Sequence, residues 1–132
     1  MIDNSSISVP IFIESRYRVN RKRIKRVVVD TLIKNGAGGP AEVSVAIVGD
    51  RKMRSLNKKY RGLDKTTNVL SFSQTEGERQ ALPPTTTLFL GDVVVSYPKV
   101  IEEASFEKML VDDKACELIE HGVLHLLGKH HL

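Results

Sequence analysis

From Leu88 to Ser96 the chain reads L-F-L-G-D-V-V-V-S, nine residues dominated by branched side chains, and this stretch decides the fold. Branched and aromatic residues suit a pleated, buried surface, so the run predicts a strand. Gly91 and Asp92 in its middle predict a bulge, or a point where another group approaches the backbone. Pro98 is placed for a first helical turn, and two helical stretches follow, residues 99–110 and 112–127. In the second, Ala115, Leu118, Ile119, Val123 and Leu126 recur as a buried stripe that Leu124 and Leu127 widen.

Toward the N-terminus three more strands are legible. Val69–Ser73 is one, and Val43, Val45 and Ile47 mark another. Ile7, Val9, Ile11 and Ile13 alternate with a period of two, and Pro10 within that run predicts an edge strand, because proline has no N–H for a ladder. Between these strands lie two helices. Asn20 is placed as an N-cap, Ile24, Val27, Val28, Thr31 and Leu32 recur at helical spacing, and Asn35 and Gly36 stop the helix. Arg21, Lys22, Arg23, Lys25 and Arg26 load its first turns with positive charge, the unfavourable end of the helix dipole, which hints at a use for that charge. Asp50 is placed to cap a short basic helix striped by Met53, Leu56 and Tyr60. Residues 1–6 are polar and expected to fray, and residues 74–86 read as a loop. There are no repeats and no domain boundary. The expectation is a single compact domain over residues 1–132, ordered strand, helix, strand, helix, strand, strand, helix, helix: a mixed four-stranded sheet packed with helices.

The 132 residues suffice for one hydrophobic core, and 41% apolar with 27% charged content fits a globular protein. No apolar run nears membrane-spanning length and residues 1–15 lack a signal-peptide pattern, so no membrane partner and a cytoplasmic location are expected. The one cysteine, Cys116, cannot form an internal disulfide and reads as a packed residue of the last helix. Charge is unevenly placed. Residues 1–66 carry 15 Lys and Arg against 6 acids, net +9, whereas residues 67–132 carry 5 against 10, net −5. A basic half points to a polyanionic partner, although a solvated face is the commoner meaning of such a run.

The last residues, 121–132, read H-G-V-L-H-L-L-G-K-H-H-L. On a helix His121 and His125 stand one turn apart on the same face. Gly128 is placed to end the helix in a left-handed residue, so that the chain can turn back and bring His130 or His131 to the pair. Single histidines on apolar faces are commonly packed residues, but all four of this chain lie within eleven residues. The spacing H-x-x-x-H-x-x-G-x-x-H, met by His121, His125, Gly128 and His131, is the ligand frame of the metzincin peptidases, and three imidazoles with one open position make a catalytic zinc site. The glutamate base that follows the first histidine in those peptidases is Gly122 here. Glu117 and Glu120 lie off the histidine face and are not expected to serve as bases.

Three segments carry a family likeness: L-N-K-K-Y-R-G-L-D-K-T-T-N-V-L-S-F over Leu56–Phe72, L-G-D-V-V-V-S over Leu90–Ser96, and the terminal H-G-V-L-H-L-L-G-K-H-H. Together they resemble the YbeY family, bacterial metal-dependent endoribonucleases implicated in maturing ribosomal RNA, especially the small-subunit 3′ end, and in ribosome quality control. The resemblance implies a compact α+β fold with a positively charged cleft beside the metal, one zinc ion per chain held by His121, His125 and His131, and Arg61 as the catalytic arginine. It departs from the family at Thr66, Thr67 and Asn68, where Pro-Thr-Asp is usual, and at His130, where Asp is usual.

The activity expected is zinc-dependent, single-strand-specific RNA cleavage, with ribosomal RNA and the ribosome or its proteins as partners. Lys58, Lys59, Arg61 and Lys65 would track the RNA backbone, with affinity that falls as salt rises. With 5% aromatic residues there are few platforms for base stacking. Two other readings stand beside this one: an RNA- or ribosome-binding assembly factor with a structural metal, and a zinc hydrolase of another substrate class.

Overall fold

The computed structural model describes residues 6–74 and 87–128. Nine elements follow one another: β1 (Ile7–Ser8), β2 (Ile11–Ile13), α1 (Arg21–Lys34), β3 (Ala41–Val48), α2 (Asp50–Arg61), β4 (Val69–Ser73), β5 (Leu88–Ser96), α3 (Tyr97–Glu107) and α4 (Val111–Leu126). They form an α+β fold around one mixed sheet. β1 and β2 both run parallel to β3, β3 parallel to β5, and β4 antiparallel to β5 at the opposite edge.

The expected first strand is therefore two short ones, and the sheet has five strands where four were expected. Pro10 explains the break: it cannot donate to the ladder, but its carbonyl still accepts from Val45 N at 2.9 Å. Both pieces lie on the edge, as a proline in a strand demands. With β1 and β2 taken together, the order of elements is the expected one.

β5 occupies the centre, and its sequence is what the position requires. Val93 and Val95 point to one face and Val94 to the other, each buried, as a strand covered on both sides must be. The register against β3 slips between Glu42 and Val43, which pair with Phe89 and Gly91, so Leu90 is the extra residue of a bulge. Gly91 takes φ +146°, and a Cβ there would lie 2.1 Å from the backbone carbonyl of Phe72. The close approach read from the sequence is thus the neighbouring strand.

Helices α1, α3 and α4 cover one face of the sheet, where Ile24, Val28 and Leu32 of α1 and Ile119 and Val123 of α4 meet Val43, Val45, Ile47, Val93 and Val95. Helix α2 covers the other, with Met53 against Val48, Leu70 and Val94. Capping follows the sequence at α1, where Arg23 N donates to Asn20 Oδ1 at 3.1 Å. It differs at α2, whose cap is Gly49; Asp50 is instead the first helical residue and accepts from the hydroxyls of Ser96 and Thr66.

The basic start of α1 meets the acidic start of α4. Arg23 Nη2 lies 2.8 Å from Asp113 Oδ1, and Asn20 N donates to Asp112 Oδ1. Part of the charge that opposes the α1 dipole is therefore structural, holding together the first turns of two helices. Cys116 is half-buried on α4, and burial pushes its thiol pKa up, as befits a packed and unreactive sulfhydryl.

Candidate active site

Helix α4 brings its own histidines together. His121 Nε2 and His125 Nε2 lie 3.2 Å apart, within hydrogen-bond distance, with ring centroids 4.7 Å apart and ring planes at 53°, so the same nitrogen of each ring faces the other. Two nitrogens bound to one tetrahedral zinc, each about 2.0–2.1 Å from it, would lie about 3.3 Å apart. The pair fits that spacing without rearrangement. The helix ends at Leu126, and Gly128 takes φ +78°, the left-handed turn expected of it. His130 and His131, the two candidates for a third ligand, lie outside the described residues. Among the described residues no three His, Cys, Asp or Glu side chains converge on one point.

Gly122 has a packing reason. It is buried between α4 and the sheet, where a Cβ would lie 2.6 Å from Val93 Cγ1 and 3.1 Å from Ser71 Oγ. Its position faces the core of the sheet, a quarter-turn or more from the histidine edge. A glutamate there would be driven into β5, so the position that carries the base in metzincins cannot carry one in this chain.

Both histidines line a cleft of about 1020 Å³ with Arg61, Tyr60, Asn68, Ser71 and Asp92. Arg61 stands in the last turn of α2, which ends at the left-handed Gly62. Its Nη2 donates to Ser71 O at 2.8 Å, and its guanidinium lies 5.5 Å from the Phe72 ring centroid. Ser71 joins the two sides of the site. Its carbonyl accepts from Arg61, while its hydroxyl donates to Gly122 O of α4 at 3.0 Å. Helices on opposite faces of the sheet are thereby tied across the edge strand β4.

Of the residues expected to contact RNA, Arg61 lines this cleft. Lys58, Lys59 and Lys65 are exposed but lie outside its lining. Lys59 Nζ lies over the Tyr60 ring at 5.0 Å, and Lys65 borders a separate depression with Arg54 and Asp64. Among the described lining residues there is one guanidinium, Arg61, and one carboxylate, Asp92, which accepts from the Ser44 hydroxyl. Ser71, Asp92 and Asn68 were not singled out as site residues by sequence reasoning. Asn68 stands out in the sequence only as a departure from the family's usual Asp, and the G-D pair in the middle of β5 only as a mark of backbone geometry.

Asn68 stands at the boundary with a second, smaller cavity, which it shares with His121, Glu103, Lys114 and Glu117. Its Nδ2 donates to Glu103 Oε1 at 3.3 Å. Lys114, 5% exposed, bonds Glu107 and Glu117 at 2.8 Å each and lies 3.6 Å from Glu103. The hydrogen bonds to Glu107 and Glu117 raise its pKa above the ordinary lysine value, so a cation is fixed beneath the first turns of α4.

The comparisons with known proteins bear on the family and the fold. The sequence pattern of the family described as Endoribonuclease YbeY matches residues 11–132. An Endoribonuclease YbeY of Roseiflexus castenholzii is 33% identical over 132 residues, covering 98% of this chain and 83% of the relative. Another, from Desulforamulus reducens, is 39% identical and covers 84% of this chain and 72% of its own. A solution structure of a Thermotoga maritima protein superposes with a TM-score of 0.59 at 24% identity, covering 94% of this chain and 75% of that one; it is a likeness of fold.

Proposed function

The chain belongs to the YbeY endoribonuclease family, and on that premise we propose that it is a zinc-dependent endoribonuclease, specific for single strands, that acts in ribosomal RNA maturation at the small-subunit 3′ end and in ribosome quality control. Its partners in this reading are ribosomal RNA and the ribosome or its proteins, and its compartment is the cytoplasm. The observation that carries the proposal is the meeting of the His121–His125 pair and Arg61 in one cleft.

The zinc would be held by His121 and His125, with His131 as the third ligand by family likeness. When bound, zinc supplies a Lewis acid for a phosphoryl oxygen, or a water of lowered pKa. The chain's own residues do the rest. Arg61 spends one N–H on Ser71 O, which fixes the guanidinium plane, and its remaining N–H groups can clamp a phosphate. The Phe72 ring lies within cation–π reach of the guanidinium, 5.5 Å from its centroid to Cζ. Tyr60 is exposed in the same lining, with Lys59 Nζ over its ring and the Phe72 ring tilted against it. Gly122 keeps α4 close to the sheet, and so sets the distance between the imidazoles and the arginine.

Purified protein incubated with single-stranded ribosomal RNA tests this reading. Cleavage is expected, and both His125→Ala and Arg61→Ala should abolish it. Binding without cleavage would support the assembly-factor reading instead. Elemental analysis of His121→Ala should find bound zinc lost, and stoichiometric metal retained in that variant would refute the ligand set.

A further inference from the structure

β4 is the outer strand of the sheet, and its pairing pattern decides where its polar groups point. Gln74 N donates to Leu90 O and Ser96 N donates to Asn68 O, so the even-numbered residues from 68 to 74 face β5. The odd-numbered residues of the strand therefore direct N–H and C=O away from the sheet. Arg61 bears this out by reaching Ser71 O from outside. Val69, Ser71 and Ser73 all line the cleft that holds His121, His125 and Arg61. The N–H groups of Ser71 and Ser73 have no hydrogen-bond partner among the described residues.

An open strand edge commonly offers donors and acceptors alike and takes another strand. This edge is unequal, because the guanidinium of Arg61 covers the carbonyl of Ser71. An incoming peptide strand would have to displace Arg61 to pair there. An anion would not: it would meet the two amides and the free side of Arg61 together. We propose that the outward N–H groups of Ser71 and Ser73, with Arg61, form a backbone-amide subsite for the phosphodiester backbone of single-stranded RNA, laid along β4 beside the histidine pair. The two donors stand about 6.7 Å apart along the strand, so they engage successive parts of an extended backbone. Amides bind phosphate without reading bases, which suits a cleft with few stacking rings. The subsite rests on the endoribonuclease reading and specifies how that reading holds its substrate.

Ser73→Pro tests the subsite, because an edge position whose N–H points outward can lose that N–H without losing a ladder bond. A labelled single-stranded oligoribonucleotide is titrated in EDTA, so that binding is read without cleavage, and melting temperature reports whether the sheet is intact. A hydrogen bond to a charged acceptor predicts a dissociation constant about tenfold weaker for Ser73→Pro. A second variant, with the amide of residue 71 replaced by an ester, should weaken binding similarly and covers the case in which the proline variant does not fold. Wild-type affinity in the folded proline variant or in the ester variant overturns the subsite. So does an edge that binds an extended peptide and not RNA. Wild-type protein that cuts RNA while both variants bind normally refutes the subsite alone, whereas wild-type protein that neither binds nor cuts RNA refutes the endoribonuclease reading itself.

Discussion

Gly122→Ala is the perturbation for which the structure gives competing terms that can be weighed. Alanine is the better helix former by about 0.8–1.0 kcal/mol, so propensity alone predicts a stabilised α4. Against this, the new methyl group would lie 2.6 Å from Val93 Cγ1, 3.2 Å from Val93 Cγ2 and 3.1 Å from Ser71 Oγ. Overpacking of this kind costs about 1–3 kcal/mol. Val93 is fully buried on the central strand and β-branched, with little rotamer freedom, so it cannot swing aside and the cost falls in the upper half of that range. The net expectation is destabilisation by about 1–2 kcal/mol, a fall in Tm of roughly 4–8 °C for a domain of this size. Thermal or urea unfolding measures it. Val93→Ala makes room for the new methyl, so the double variant should be about 1 kcal/mol more stable than the sum of the single changes predicts. A Gly122→Ala protein that melts at or above the wild type, or a double variant with no coupling, would refute the reasoning that this glycine sets the height of α4 over the sheet.

Three other changes probe neighbouring parts of the structure. Lys114→Met removes the cation from three carboxylates and should cost about 2–4 kcal/mol, somewhat below the loss for a wholly buried pair because the Glu117 side chain is 53% exposed. Since the folded-state pKa of Lys114 is raised, its contribution is complete below the ordinary lysine value of about 10.4 and is lost only as pH rises through the raised one. The stability gap between wild type and Lys114→Met should therefore be flat from about pH 6 to about pH 9, and a gap that closes within that window, followed by urea titration, counts against the assignment. Gly91→Ala combines a φ of +146° with a Cβ 2.1 Å from a backbone carbonyl and should cost about 3 kcal/mol or more, so a variant within 1 kcal/mol of wild type, about a fivefold change in the folding equilibrium, would contradict the bulge geometry. Arg61→Lys keeps the charge but loses the planar fork; the salt dependence of RNA binding should hold while turnover falls about a hundredfold, and equal turnover would show that charge alone suffices.

Much of the fold was legible because its signals are local. The alternation in Ile7–Ile13, the branched run in β5 and the helical stripes of α1 and α4 each name the element and the face it buries. Pro10 marked its strand as an edge, yet the division of that strand into two pieces depends on which carbonyl still reaches β3, and sequence does not hold that information. Asp50 shows the same limit. Its position before a helical stripe resembles a cap, but Ser96 and Thr66, distant in sequence, compete for the carboxylate and the cap passes to Gly49. The histidine pair was legible because a helix brings residues four apart together by itself. Ser71, Asp92 and Asn68 were not, since each enters the cleft through the register of β4 against β5 or through the packing of α4, and a serine within a hydrophobic strand carries no local mark of such a role.

The position of β4 explains why a site of this kind arises at the edge of the sheet and not over its centre. Helices α2 and α4 lie on opposite faces, so side chains from the two can meet only where the sheet stops. Over β5, the valines facing both ways separate the two helices by a full layer of core. At β4 that layer ends, and one residue, Ser71, presents its carbonyl to Arg61 on one side and its hydroxyl to Gly122 on the other. The same residue lies opposite Val93 in the β4–β5 ladder, and Val93 is the side chain that Gly122 packs against. The spacing between the imidazoles and the guanidinium is thus set by one cross-strand pair and the glycine above it. A shift of α4 by the width of a methyl group would move the histidines relative to Arg61 while leaving each of them intact in its own helix.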